Sequence, residues 1–110
     1  MGTFAKGLAA AILMALAAPA YADDASVHLT LKDHHFDPAE PTASAKQPLT
    51  IEVANEDTTA AEFESKELKV EKVVPAHGKI TVHVRALPPG RYRFFDDYHE
   101  SETFGFLVVK

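Results

Sequence analysis

Acidic side chains and a histidine are concentrated near the end of the chain, in the stretch FDDYHESE of residues 95–102. Asp96 and His99 are three residues apart, a span that a tight loop can fold around one cation. Asp97 and Glu102 offer further carboxylates in the same stretch. Carboxylate and imidazole groups together suit Cu(II), Fe(II), Fe(III) and also Mn(II) or Zn(II). The stretch therefore indicates a metal-binding loop.

A second pair of acids, Glu62 and Glu64, lies in the stretch AEFES. On a β-strand, residues two apart share a face, so both carboxylates could converge on one ion while Phe63 turns inward. Clustered carboxylates repel one another when empty, which raises their pKa values and favours a bound cation. A site with several carboxylates also favours the higher oxidation state of an ion, as an iron-oxidising or Fe(III)-delivering site requires.

The same residues also fit simpler structural roles. Asp96 and Asp97 belong to a residue type that often caps backbone amides in turns. His99, which lies between a tyrosine and a glutamate, fits an exposed surface position. Glutamates and lysines alternate along residues 64–72, a pattern that is typical of a solvated charged face. Metal binding is therefore predicted from the whole set of residues rather than from any one of them.

The other histidines divide into two groups. His34 and His35 precede the turn sequence Phe-Asp-Pro and are candidates for an accessory or transient metal site. His28 and His83 alternate with apolar residues, and His77 lies between prolyl and glycyl turn residues. These last three are expected on the surface.

Short segments of alternating apolar and polar residues must position these groups. Such alternation predicts strands with one buried and one solvated face, over residues 27–32, 49–53, 80–85, 92–94 and 104–109. Turn signals containing Pro, Gly, Asn or Asp separate them. Residues 62–72 fit either one short helix or two strands joined by a loop. We therefore predict an all-β Greek-key sandwich of about seven strands.

Residues 1–22 do not fit this pattern and are predicted to be a secretory signal peptide, followed by one domain over residues 23–110. Lys6 precedes an apolar run that ends in Ala20-Tyr21-Ala22. Without this segment the chain has 10 basic and 16 acidic residues, a net charge of −6. An acidic domain favours cations as partners over nucleic acid or anionic lipid. Because the chain contains no cysteine, a metal site must use oxygen and nitrogen ligands.

The order of motifs resembles that of the cupredoxins, small copper-binding Greek-key β-sandwich proteins. The sequence YRFFD followed by His99, a Gly-containing apolar last strand and an earlier Asn-x-Asp turn carry the resemblance, which covers residues 23–110. Asp96 stands where that family has its cysteine ligand, His99 matches the loop histidine, and Glu102 lies near the methionine position. Glu62 occupies the region of the other histidine ligand. Because blue copper chemistry requires a thiolate, an ordinary blue-copper electron carrier is not expected.

The sequence is most similar to the cysteine-free periplasmic cupredoxins of bacterial iron uptake, of the FtrB and EfeO cupredoxin-domain type. Stretches EFES, EKVVP and PGRYRFFDDYHE carry this closer resemblance. It implies a copper and/or iron ion bound by Glu62, Asp96 and His99, with Asp97, Glu64 or Glu102 completing the shell. The implied role is in iron acquisition, as oxidant of ferrous iron or as chaperone.

The expected partners are an Ftr-type membrane permease or a periplasmic iron-binding protein, without insertion of the mature domain into the membrane. The sequence contains no phosphate-binding loop and no zinc-protease motif, so an enzymatic role is limited to ferroxidase-type metal oxidation. Two alternatives remain open. One is a metal-free Ig-like periplasmic adaptor, and the other is a copper-buffering protein without iron chemistry.

Overall fold

The computed structural model describes residues 25–110, which form a sandwich of two β-sheets. The strands are β1 Ala25–Lys32, β2 His35–Asp37, β3 Thr42–Ala43, β4 Leu49–Asn55, β5 Ala61–Ser65, β6 Val70–Val74, β7 Lys79–Val84, β8 Gly90–Asp96 and β9 Phe104–Val109. One 3-10 turn, Asp97–His99, follows β8. Within residues 25–110, no helix is long and apolar enough to cross a membrane. The predicted signal peptide, residues 1–22, lies outside the described residues.

The two sheets contain four and five strands, in the orders β2-β1-β4-β7 and β3-β9-β8-β5-β6. Strands β1 and β4 pair in parallel, as do β3 and β9, and the other neighbours are antiparallel. The predicted all-β sandwich is confirmed. The described residues form nine strands instead of about seven because β2 and β3, of three and two residues, are too short to show alternation.

The core lies between the sheets and follows the predicted alternation. Along β4, Leu49, Ile51 and Val53 are buried while the residues between them are partly exposed. Three aromatic rings, those of Phe36, Phe63 and Phe94, meet at one end of this core with centroid separations of 5.1 to 6.0 Å. Burial of one such ring contributes up to about 3 kcal/mol to stability. Phe63 is in register with Asp96 at the end of β8, so the cluster lies close to the loop that follows this strand.

The segment that fitted either a helix or two strands is a strand, a turn and a strand. Ser65 ends β5, and its buried hydroxyl donates to the Arg93 carbonyl at 2.6 Å and accepts from the Leu68 amide at 3.2 Å. Leu68 is buried, and Lys69 has a φ of 59°. The buried turn favours the hairpin, which places Glu62 and Glu64 on a strand.

Candidate metal centre

Glu62, Glu64 and Asp97 form an acidic triplet, with one carboxylate oxygen from each within 4.8 Å of the others. The two glutamates project from the same face of β5, while Phe63 between them is buried. Asp97 reaches them because the 3-10 turn packs against β5. Three oxygen donors at this separation could close on one cation with only small side-chain movements.

The electrostatics of the acidic triplet favour cation binding. Loss of surrounding solvent raises the pKa of Glu62 above its ordinary value of 4.5, and the carboxylates of Glu71 and Asp97 raise it further. Loss of solvent and the charges of Asp97 and Glu71 also raise the pKa of Glu64, against an opposing contribution from Lys66. A bound cation would neutralise this repulsion.

The raised pKa values predict a dependence of stability on pH in the metal-free protein. Both glutamates hold their protons more tightly folded than unfolded, so their contribution to the free energy of unfolding falls as pH rises from 4.5 through the raised pKa values. The double variant Glu62→Gln/Glu64→Gln cannot ionise at these two positions, so it does not lose stability in this way as pH rises. We therefore expect the free energy of unfolding of the double variant, relative to that of wild type, to increase as pH rises from 4 to 7. Urea unfolding with a chelator present measures this difference.

A suitable control for this prediction is Glu56→Gln, which neutralises an exposed acid outside the acidic triplet. The control should follow the wild-type pH dependence. Parallel stability curves for wild type and the double variant from pH 4 to pH 7 would contradict the prediction.

Asp96 lies at the end of β8, opposite Phe63 of β5, and its side chain is buried. Its Oδ1 accepts from the backbone amides of Glu62 at 2.9 Å and Tyr98 at 3.0 Å. Its Oδ2 lies 3.1 Å from Nδ1 of His99. Both oxygens are therefore already engaged by protein groups. This arrangement suits Asp96 to positioning His99, whereas the neighbouring Asp97 faces the glutamates.

His99 directs its Nδ1 at Asp96, and within residues 25–110 its Nε2 has no hydrogen-bond partner. Because an ionised carboxylate only accepts hydrogen bonds, a neutral ring that donates from Nδ1 to Asp96 keeps its Nε2 lone pair for a metal ion. A histidine whose other nitrogen bonds a carboxylate is the usual arrangement of a metal ligand. The His99 side chain is 37% exposed, so a metal ion could reach it from solvent.

The loop between β8 and β9 is stabilised by backbone hydrogen bonds within it and by side-chain contacts of Arg93 on its surface. Inside, the Thr103 amide donates to the His99 carbonyl at 2.9 Å, and the Asp96 amide donates to the Thr103 carbonyl at 2.9 Å. Outside, Arg93 pairs with Glu100 at 3.0 Å and covers the rings of Phe95 and Phe104. This function of Arg93 could not be predicted from the sequence, because the alternation along β8 does not reveal it.

The structure places the remaining predicted ligand, Glu102, on an exposed part of this loop, outside the acidic triplet. Its role as a ligand stays a prediction. Next to it, Thr103 is fully buried, and its Oγ1 has no hydrogen-bond partner within residues 25–110. The six predicted ligands thus divide between the acidic triplet, the Asp96 and His99 pair, and Glu102.

The turn between β1 and β2 is fixed by residues that the sequence indicated only as a turn. Asp57 accepts from the amides of Asp33 at 2.6 Å and His34 at 3.0 Å. Asn55 is buried and accepts from the Asp57 amide at 2.9 Å. Burial would raise the pKa of Asp57, but the two amides and the nearby His34 outweigh it, so its pKa is lowered. The Asn-x-Asp motif could have indicated this role.

The donor set decides which copper chemistry the residues can support. A blue-copper site does not fit, because the chain contains no cysteine to supply a thiolate. A site of imidazole nitrogen and carboxylate oxygen does fit, and such donors suit Cu(II) and iron.

Comparison of the structure with known structures supports the same fold. Auracyanin A, a blue copper protein of Chloroflexus aurantiacus, superposes with a TM-score of 0.68 at 17% identity, covering 80% of this chain and 100% of auracyanin A. The Cu(I)-bound metal-binding domain of the Cu(I)-exporting ATPase CopA of Streptococcus pneumoniae gives 0.66 at 14% identity, with 77% and 84% covered. At these identities the likeness shows the fold alone.

Comparison of the sequence adds a closer relative. An uncharacterised protein of Rickettsia prowazekii (strain Madrid E) is 36% identical over 83 residues, covering 76% of this chain. The match covers 66% of that protein, so the chain spans slightly less than two thirds of its length. The profile of the cupredoxin-like domain family matches residues 6–109. The chain therefore belongs to the cupredoxin-like domain family.

Proposed function

We propose that this cupredoxin-like protein binds copper, iron or both in the periplasm and takes part in iron acquisition. Its role would be that of an oxidant of ferrous iron or a metal chaperone, as in the FtrB- and EfeO-type proteins that its sequence resembles. The observation that carries the proposal is the acidic triplet, three carboxylates within 4.8 Å of one another beside the loop of a cupredoxin-like fold.

The chemistry of the acidic triplet supports iron as its cargo. Carboxylate oxygens are hard donors, and three of them carry enough negative charge to favour Fe(III) over Fe(II). In the oxidant role each Fe(II) gives one electron to an acceptor such as dioxygen. In the chaperone role the oxidation state of iron does not change. Either role suits delivery to a membrane iron permease or a periplasmic iron-binding protein.

Copper is the second proposed ion. Its support comes from the fold, since the similar structures include a blue copper protein and a Cu(I)-bound domain. In this chain the imidazole of His99 is the donor best suited to copper, because Asp96 leaves its Nε2 free.

Calorimetric titration of metal-stripped protein with Cu(II) and, without oxygen, with Fe(II) tests the proposal. We expect stoichiometric Fe(II) binding that weakens at least about 10-fold in Glu62→Gln/Glu64→Gln and is unchanged in Glu56→Gln. Faster loss of Fe(II) in air with the wild-type protein would assign the oxidant role, and tight binding without oxidation the chaperone role. If neither ion binds, the proposal is wrong and the metal-free adaptor becomes the better hypothesis.

A further inference from the structure

His34 lies against His99, although the two residues are far apart in sequence. Their ring centroids are 4.6 Å apart, with an angle of 49° between the ring planes. His34 comes from the turn between β1 and β2, whereas His99 comes from the loop after β8. Both side chains are partly exposed. Two imidazoles from different loops therefore meet at the surface beside the buried Asp96.

The backbone holds His34 in an uncommon conformation. Asp33 and His34 have φ values of 51° and 61°, in the left-handed region that few residues other than glycine adopt. The Asp57 carboxylate stabilises this conformation by accepting both of their amides. Asn55 in turn orients Asp57. Positive φ at both residues is the usual geometry of a two-residue hairpin turn, and the bonds to Asp57 fix the backbone of His34 within this turn.

The second imidazole is equally well positioned. Asp96 holds Nδ1 of His99 at 3.1 Å and is itself fixed by the amides of Glu62 and Tyr98. Each of the two histidines is thus oriented through an aspartate, His34 by its backbone and His99 by its ring.

We propose that His34 and His99 together bind one Cu(II) ion as a pair of imidazole ligands, with donors separate from those of the acidic triplet. Two imidazoles on one ion, with metal–nitrogen bonds of about 2.0 Å, have ring centres roughly 5 Å apart, which is close to the observed 4.6 Å. Imidazole is a suitable ligand for copper, and a given site generally binds Cu(II) more tightly than Fe(II) or Zn(II). The inference rests on the proposed metal-binding function and adds His34 as a ligand.

The test is titration of metal-free protein with Cu(II), followed by electron paramagnetic resonance of the one-to-one complex. The variant of choice is His34→Asn, because asparagine tolerates positive φ and lacks the imidazole. His99→Asn removes the other ring. His83→Asn is the matched control, since His83 is an exposed histidine on the four-stranded sheet.

We expect coupling of the wild-type Cu(II) signal to two imidazole nitrogens, reduced to one in His34→Asn. The affinity should fall at least about 10-fold in His34→Asn and His99→Asn and stay unchanged in His83→Asn. Asp96→Asn should also weaken binding, because its amide donates to Nδ1 and so places the hydrogen of the ring on Nε2.

Two results would overturn the inference. If the wild-type spectrum shows coupling to fewer than two imidazole nitrogens, His34 is not a ligand, and this readout does not depend on the folding of any variant. If His34→Asn keeps the wild-type Cu(II) affinity while His99→Asn loses it, His34 is likewise excluded. In the second case copper binding at His99 stands, as does iron binding by the acidic triplet, which the Fe(II) titration tests separately.

Discussion

Replacement of Asp96 by alanine is expected to lower the free energy of unfolding by about 3 to 5 kcal/mol, since a buried charged acceptor would be removed from three donors. Two of these donors, the amides of Glu62 and Tyr98, lie 2.9 and 3.0 Å from Oδ1. Alanine leaves both amides without an acceptor where β5 meets the loop after β8. Urea unfolding at pH 7 measures the loss.

The variant Asp96→Asn distinguishes the contribution of the hydrogen bonds to stability from the contribution of the charge. Asparagine keeps an acceptor for the two amides, so we expect it to cost only about 1 kcal/mol. Equal losses in the two variants would show that the charge of Asp96 stabilises the loop. A loss below about 1 kcal/mol in the alanine variant would contradict the prediction, because it would mean that the two partly buried amides find other acceptors at little cost.

Replacement of Gly105 by alanine is expected to destabilise the protein by about 3 kcal/mol through overpacking. A β-carbon at this position would overlap the Ala39 carbonyl oxygen and lie 2.6 Å from Cζ of Phe94. Neither neighbour can move easily, because the Ala39 carbonyl accepts from the Phe106 amide at 2.9 Å and Phe94 is fully buried. Thermal and urea unfolding measure the loss.

Gly90 offers a matched control at the other end of the same strand pair. A β-carbon there would have only ordinary contacts, the nearest at 3.4 Å from the Tyr92 ring. We therefore expect Gly90→Ala to change stability by no more than about 0.5 kcal/mol. Similar losses in both variants would mean that the effect at Gly105 comes from strand glycines in general and not from overlap with Phe94.

Much of the fold could be predicted from the sequence because burial alternates along the strands. Strand β9 has the predicted bounds, residues 104–109, and β1, β4, β7 and β8 each contain most of the predicted segment. The hairpin of β5 and β6 could not be separated from a helix, since its choice depends on the buried contacts of Ser65 and Leu68. One of them, the hydrogen bond from Ser65 to the Arg93 carbonyl, joins parts of the chain that are 28 residues apart.

The candidate site shows the same limit. The shared face of Glu62 and Glu64 follows from their spacing, and the structure has it. Which of Asp96 and Asp97 faces them depends on one residue of strand register, and the structure places Asp97 there. The contact between His34 and His99 joins two loops on different sheets, so no local pattern could have revealed it.

The outer face of the five-stranded sheet is electrically polarised. Its β5 and β6 side carries Glu62, Glu64 and Glu71, whereas Arg91 and Arg93 lie over aromatic rings on the β8 and β9 side. Because Arg91 is paired with Glu40 and Arg93 with Glu100, the arginine charges are compensated, and the field of this face directs an approaching cation toward the glutamates.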